Sequence, residues 1–146
     1  MKKHKNKGFT LIELLVVISI IGILMGLSLF SLQNSKKSGR DAKRKSDLEL
    51  IRSGIEIYRA DCGEYPTSLS EGDILKGTNT SGSCLTSNIY ISSVPTDPLS
   101  PSRSYLYSSN GIIYQLCSAL EGGSVTQTCG GSSNCGETCN YKVENP

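Results

Sequence analysis

The sequence predicts an α+β protein: a long N-terminal helix, membrane-spanning in its first half, packs on a small antiparallel β-sheet head with a disulfide-rich C-terminal tail. Three observations carry this reading. From Leu14 to Leu32 there is neither a charged residue nor a proline. Asn110-Gly111 separates two runs rich in tyrosine and aliphatic residues. All 6 cysteines lie in the second part of the chain, from Cys62 onward.

As a helix, Phe9 to Leu32 would be roughly 36 Å long, enough to cross the hydrocarbon core of a bilayer. Glu13 stands near its start. A carboxylate in a span costs roughly 2.5–3.5 kcal/mol on insertion scales, so it faces a partner rather than lipid. Gly22 and Gly26 have the small-xxx-small spacing that lets two helix backbones approach closely. They equally mark a place where a helix can loosen. After Leu32 the chain turns polar through Lys36, Lys37, Arg40, Asp41, Lys43, Arg44, Lys45 and Asp47, with no proline before Pro66, which predicts that the helix continues. Leu48, Ile51, Ile55 and Tyr58 then share one face, the stripe on which a head can pack. One helix from Phe9 to Ala60 would be about 78 Å long. Its basic cluster reads as a solvated face or as salt bridges between subunits, since no aromatic residues interleave it as in a nucleic-acid site.

From Asp61 onward Gly, Ser, Thr and Asn dominate, and the coarse reading is loop, hairpin, loop. Tyr105-Leu106-Tyr107 and Ile112-Ile113-Tyr114-Gln115-Leu116-Cys117 flank the Asn-Gly turn as two antiparallel strands. Ile112, Tyr114, Leu116 and Leu120 are expected on one face, covering the helix stripe. Tyr141-Lys142-Val143 offers a third strand at the edge.

A chain of 146 residues with so long an apolar helix has room for one modest head. The formal charge is +2, but four lysines, Lys2, Lys3, Lys5 and Lys7, precede Gly8; without them the side-chain balance is −2. Net charge therefore gives little support to nucleic-acid binding, which enters only by way of an uptake role. The cysteines Cys62, Cys84, Cys117, Cys129, Cys135 and Cys139 point to an oxidising compartment and a stapled head. That places the head outside the cytoplasm, a matter the near-even basic counts on either side of the span do not decide. Six cysteines allow 15 pairings, among which the sequence alone does not choose; the pairing taken as the expectation joins Cys62 with Cys84, Cys117 with Cys139 and Cys129 with Cys135, closing the loop after the helix, tying the tail to a strand and stapling the tail. The CxxxC spacing of Cys135 and Cys139 also admits zinc, but the one histidine is His4 and no second close pair accompanies it. A head without histidine lacks the usual catalytic base, and Asp61, Glu64 and Asp97 read as turn and capping residues. No enzyme activity, metal or cofactor is expected.

The stretch Gly8-Phe9-Thr10-Leu11-Ile12-Glu13 resembles the class III signal of type IV prepilins and type II secretion pseudopilins. The resemblance implies that a prepilin peptidase cuts between Gly8 and Phe9 and methylates the new amino terminus. It further implies that the Glu13 carboxylate meets the Phe9 ammonium of a neighbouring subunit. Residues 1–8 are then a leader, 9–33 the transmembrane and assembly half of the helix, and 34–146 the head with the outer half of the helix. An ordinary secretory signal would be cut after the apolar run, where Phe30 to Ser35 offers only a poor site. Tyr58 to Thr67 and Tyr90 to Pro98 resemble the helix exit and the proline-rich lead into the sheet of major pseudopilins, extending the likeness to about Leu120. Related major pseudopilins bind calcium in a loop after the last strands; Glu121-Gly122-Gly123-Ser124 supplies one carboxylate, so calcium is not expected here.

The implied function is that of a structural subunit of a type IV pilus or pilus-like filament. The alternatives are a pseudopilin of a type II secretion or DNA-uptake system and, from another class, a monomeric membrane-tethered binding protein. That last reading leaves Glu13 and the Gly8-Phe9 junction without a role. The implied partners are further copies of the chain, the prepilin peptidase, a membrane assembly platform with its ATPase, and the lipid bilayer before assembly. The implied location is the cytoplasmic membrane with the head outside, then an extracellular filament or the cell envelope.

Overall fold

A computed structural model describes residues 8–145, apart from the side chains of Leu29 and Phe30; most of the expected leader thus lies outside the described residues. The chain divides into two compact units, Met1–Lys36 and Lys37–Pro146. Helix α1 (Leu11–Cys62, 52 residues), the one helix among the described residues, contributes to each. It ends where Gly63 takes a φ of +85°, with its N–H donating to the Arg59 carbonyl at 2.8 Å. This is the left-handed stop that glycine adopts without a Cβ penalty.

Within the second unit the expected stripe is the core. Leu48, Ile51 and Ile55 are fully buried and Tyr58 is nearly so. They pack with Tyr65, Leu75, Ile91, Val94, Tyr114, Leu116 and Val143. Burying each aliphatic side chain contributes about 1.5–3 kcal/mol, so this stripe is what holds the outer half of α1 to the head.

Two antiparallel sheets complete the unit. β1 (Leu75–Lys76) pairs with β2 (Ile89–Ile91). β3 (Leu106–Ser109), β4 (Tyr114–Ser118) and β5 (Tyr141–Glu144) form a second sheet in that order, with β5 at the edge as expected. The hairpin turn is where the Asn-Gly signal puts it. Gly111 has a φ of +86°, and the Asn110 Oδ1 accepts the N–H groups of Ile112 at 3.0 Å and Ile113 at 2.9 Å. Because this cap draws Ile112 and Ile113 into the loop, Ser109 pairs with Tyr114 and β4 begins two residues later than expected. Ile112 is consequently exposed, and only Tyr114 and Leu116 of the four expected residues are buried in the core. Leu120 lies past the strand, just before a turn, its N–H donating to the Asn140 side chain at 2.7 Å. The β1–β2 pair was not expected at all, since strands of two and three residues carry no readable alternation.

The cysteines are all paired, but two of the three expected partnerships are corrected. Cys62–Cys84 forms as expected and ties the end of α1 to the loop before β2. The other bridges are Cys117–Cys129 and Cys135–Cys139. The tail folds back along β4, with the Gly130 N–H donating to the Gln115 side chain at 2.9 Å, which brings Cys129 beside Cys117. Cys135 and Cys139 close a turn of their own, where Asn134 bridges to Thr138. All four sulfurs share one small buried cluster with Ala119, so chain separation alone does not select partners. Non-reducing peptide mapping should recover these three linked pairs. Replacing both Cys62 and Cys84 by serine should cost about 2–4 kcal/mol of stability in denaturant unfolding.

The charged stretch of α1 also departs from expectation. Arg44 is fully buried and Arg40 is partly so, each paired within the head rather than presented to solvent or reserved for a neighbouring subunit. Asp97 does cap a turn, accepting the Leu99 N–H at 2.7 Å, but it is also the buried partner of Arg44.

Candidate processing and assembly site

The first unit places Gly8, Phe9 and Thr10 ahead of the helix and Glu13 in its first turn. The local sequence explains the boundary. The Thr10 Oγ1 accepts the Glu13 N–H at 3.3 Å, and the Glu13 Oε2 accepts the Thr10 N–H at 2.9 Å and the Thr10 hydroxyl at 2.7 Å. This is a reciprocal capping box, in which the side chains at each end satisfy backbone donors that the helix leaves open. The role of Thr10 was not read from the sequence, although Thr10-Leu11-Ile12-Glu13 spells the S/T-x-x-E pattern in full.

The box has an electrostatic consequence. The Glu13 carboxylate, costly in lipid, already holds hydrogen bonds on one oxygen before any partner arrives. Among the described residues these bonds converge on Oε2. No cation within the chain is paired with Glu13 among the described residues. A positive group from outside the chain can therefore add to the box without dismantling it.

Gly8 stands just outside the helix, and a Cβ built there meets nothing within 4 Å. Its own fold thus makes no demand for glycine at this position, and a steric demand there must come from another molecule. Phe9 is 88% exposed. Around it the apolar surface is exposed on every side of α1, including Leu11, Ile12, Leu14, Val17, Ile20 and Leu27. One window of 18 residues has a mean hydropathy of 2.6, long and apolar enough to cross a membrane. Gly22 and Gly26 lie within unbroken helix, and a Cβ on either meets nothing within 4 Å, so both remain open to a neighbouring backbone.

The structure therefore brings Glu13 together with Thr10 and sets Phe9 and Gly8 next to them on exposed chain, while the six cysteines lie in or border the other unit's packed interior. Comparison with known proteins agrees with this division. Residues 3–29 match the prokaryotic N-terminal methylation motif, and residues 31–133 match type II secretion system (T2SS), protein G. The second match reaches well past Leu120, where the likeness read from motifs ends. The chain is similar to the type II secretion system core protein G of Aeromonas hydrophila, 33% identical over 101 residues covering 67% of this chain and 71% of the relative. The protein of the same name from Vibrio cholerae serotype O1 is 31% identical over 107 residues, 72% of this chain and 73% of the relative. That from Pseudomonas aeruginosa is 28% identical over 109 residues, 73% and 77% of the two chains. No solved structure gives a significant match. These likenesses favour the pseudopilin alternative over a type IV pilus subunit.

Proposed function

Because the chain belongs to the type II secretion system protein G family, we propose that it is a pseudopilin, a non-enzymatic subunit of the pilus-like filament of a type II secretion machine. It waits in the cytoplasmic membrane with its disulfide-stapled head outside. The prepilin peptidase cuts between Gly8 and Phe9 and methylates the Phe9 amine. The assembly platform, driven by its ATPase, then moves the subunit into a filament confined to the cell envelope. In that filament the exposed apolar helices exchange lipid for one another, and the Phe9 ammonium of one subunit meets the Glu13 carboxylate of the next. The observation that carries this reading is an apolar helix exposed on all sides whose one carboxylate is held at the end where processing creates a cation.

The physical logic is one of paired charges. Both groups are costly in lipid when alone, and bringing them together in a low dielectric offsets that cost. Since the pair forms at one axial offset between helices, it selects register as well as adding affinity. Deleting the chain from its host tests the assignment. Proteins destined for the medium should accumulate in the envelope, while surface pili remain. Undiminished export together with loss of long surface fibres would instead identify a type IV pilus subunit.

A further inference from the structure

The charged stretch Arg40 to Asp47 takes no part in the filament mechanism, yet it holds the most deeply buried charge in the head. Arg44 is fully buried, and an unpaired guanidinium in that position would be strongly unfavourable. Its fork makes four hydrogen bonds to three carboxylates. Nε donates to Asp97 Oδ2 at 2.7 Å and Nη2 to Asp97 Oδ1 at 3.0 Å. Nη1 donates to Asp41 Oδ1 at 2.8 Å and to Glu121 Oε1 at 3.2 Å. Arg40 reinforces the cluster with two bonds of its own to Glu121, at 2.5 Å and 2.6 Å. Backbone N–H groups supply the rest: Leu99 to Asp97 Oδ1, Glu121 to Asp41 Oδ1 and Gly122 to Asp41 Oδ2. Every oxygen of the three carboxylates therefore has an N–H donor.

Those carboxylates come from three separate places: α1, the proline-rich loop before β3, and the turn after β4. Drawing remote acidic loops together is work for which many proteins use a divalent cation, and calcium requires six to eight oxygen ligands. Here the oxygens are already committed. A calcium ion at the turn of Glu121 would have to displace Arg40 and Arg44 from their partners. The local electrostatics agree, since hydrogen bonding from Arg40, foremost, and then from Arg44 outweighs burial and pulls the Glu121 carboxyl down to about 2. Burial alone would lower the Arg44 pKa, but its bonds to Asp97, Glu121 and Asp41 raise it instead.

We propose that the Arg44 guanidinium, seconded by Arg40, is the built-in cation that fastens the turn after β4 and the proline-rich loop to α1, so that this head holds its shape without a divalent metal. The test is thermal unfolding of the full mature chain in detergent, in a chelator and in millimolar calcium chloride. The two midpoints should coincide, because a ligand bound only by the folded state would raise the midpoint as its concentration rises. Arg44→Met should lower the midpoint by roughly 10 °C or more in both conditions, having left buried carboxylates without their cation. Should that variant not fold, Glu121→Gln decides, since it keeps the size of the side chain and weakens only the clamp: its midpoint should fall by several degrees and stay the same with or without calcium. A wild-type midpoint that drops by several degrees in chelator and recovers with calcium would overturn the proposal. So would a Glu121→Gln midpoint equal to that of the wild type.

Discussion

Glu13→Gln is expected to leave the subunit inserted and cut but to reduce filaments to few or none. Insertion should become easier, because an amide avoids placing a carboxylate in lipid. The helix start should survive as well, because glutamine at this position still completes a capping box with Thr10. What disappears is the negative charge that the proposed filament sets against a neighbour's Phe9 ammonium. Removing one member of a buried ion pair typically costs about 3–5 kcal/mol, and a filament repeats that loss at every contact. Processed monomer should therefore accumulate in the membrane. Glu13→Asp keeps the charge but shortens its reach, so its yield should fall between the two. Sheared-filament yield, measured beside the amount of cut subunit in membranes, checks the expectation. Abundant filaments from the Gln variant would sink the charge-pair mechanism, and uncut precursor would move the role of Glu13 to peptidase recognition.

The other large effect is expected at the scissile junction. Gly8→Val should leave the precursor folded and membrane-held but cut far more slowly. A Cβ at Gly8 meets nothing in the chain itself, so the substitution has no fold of its own to disturb. Any loss must arise in the peptidase, whose site the family resemblance describes as accepting a very small residue. Forcing a branched side chain into a close-fitting site costs about 1–3 kcal/mol, which slows cutting roughly five- to 150-fold. Gly8→Ala should be cut at an intermediate rate. Intact mass reads the result: the wild-type chain should begin at an N-methylated Phe9, and most of the Val variant should retain its first eight residues. A wild-type chain beginning near Ser31 would mean an ordinary secretory signal.

The candidate site was largely legible before the fold was known, because its parts are neighbours in sequence. Gly8, Phe9 and Glu13 span less than two helical turns, and the box that orients Glu13 is written in four consecutive residues. Thr10 enters through the second capacity of the Glu13 carboxylate, which is a hydrogen-bond acceptor as well as a charge. In the head, legibility followed periodicity. The stripe of Leu48, Ile51, Ile55 and Tyr58 repeats with the helix and is buried as expected. Ile112 departs from the strand alternation because the Asn110 side chain holds it and Ile113 in the turn.

By itself, then, the sequence determined the long helix, its apolar first half, the face of its outer half that packs, and the hairpin. Each of these follows from interactions among residues a few positions apart: an uninterrupted helical ladder, a 3.6-residue repeat, an Asn-Gly turn. Only the tertiary structure decided which cysteines pair, that β1 and β2 meet, and that Arg44 lies buried rather than on a solvated face. Arg44 finds Asp97 at a separation of 53 residues and Glu121 at 77. Partners so distant leave no local pattern, since what brings them together is how the Gly- and Ser-rich loops close over the core, and those loops carry no periodicity that would announce their path.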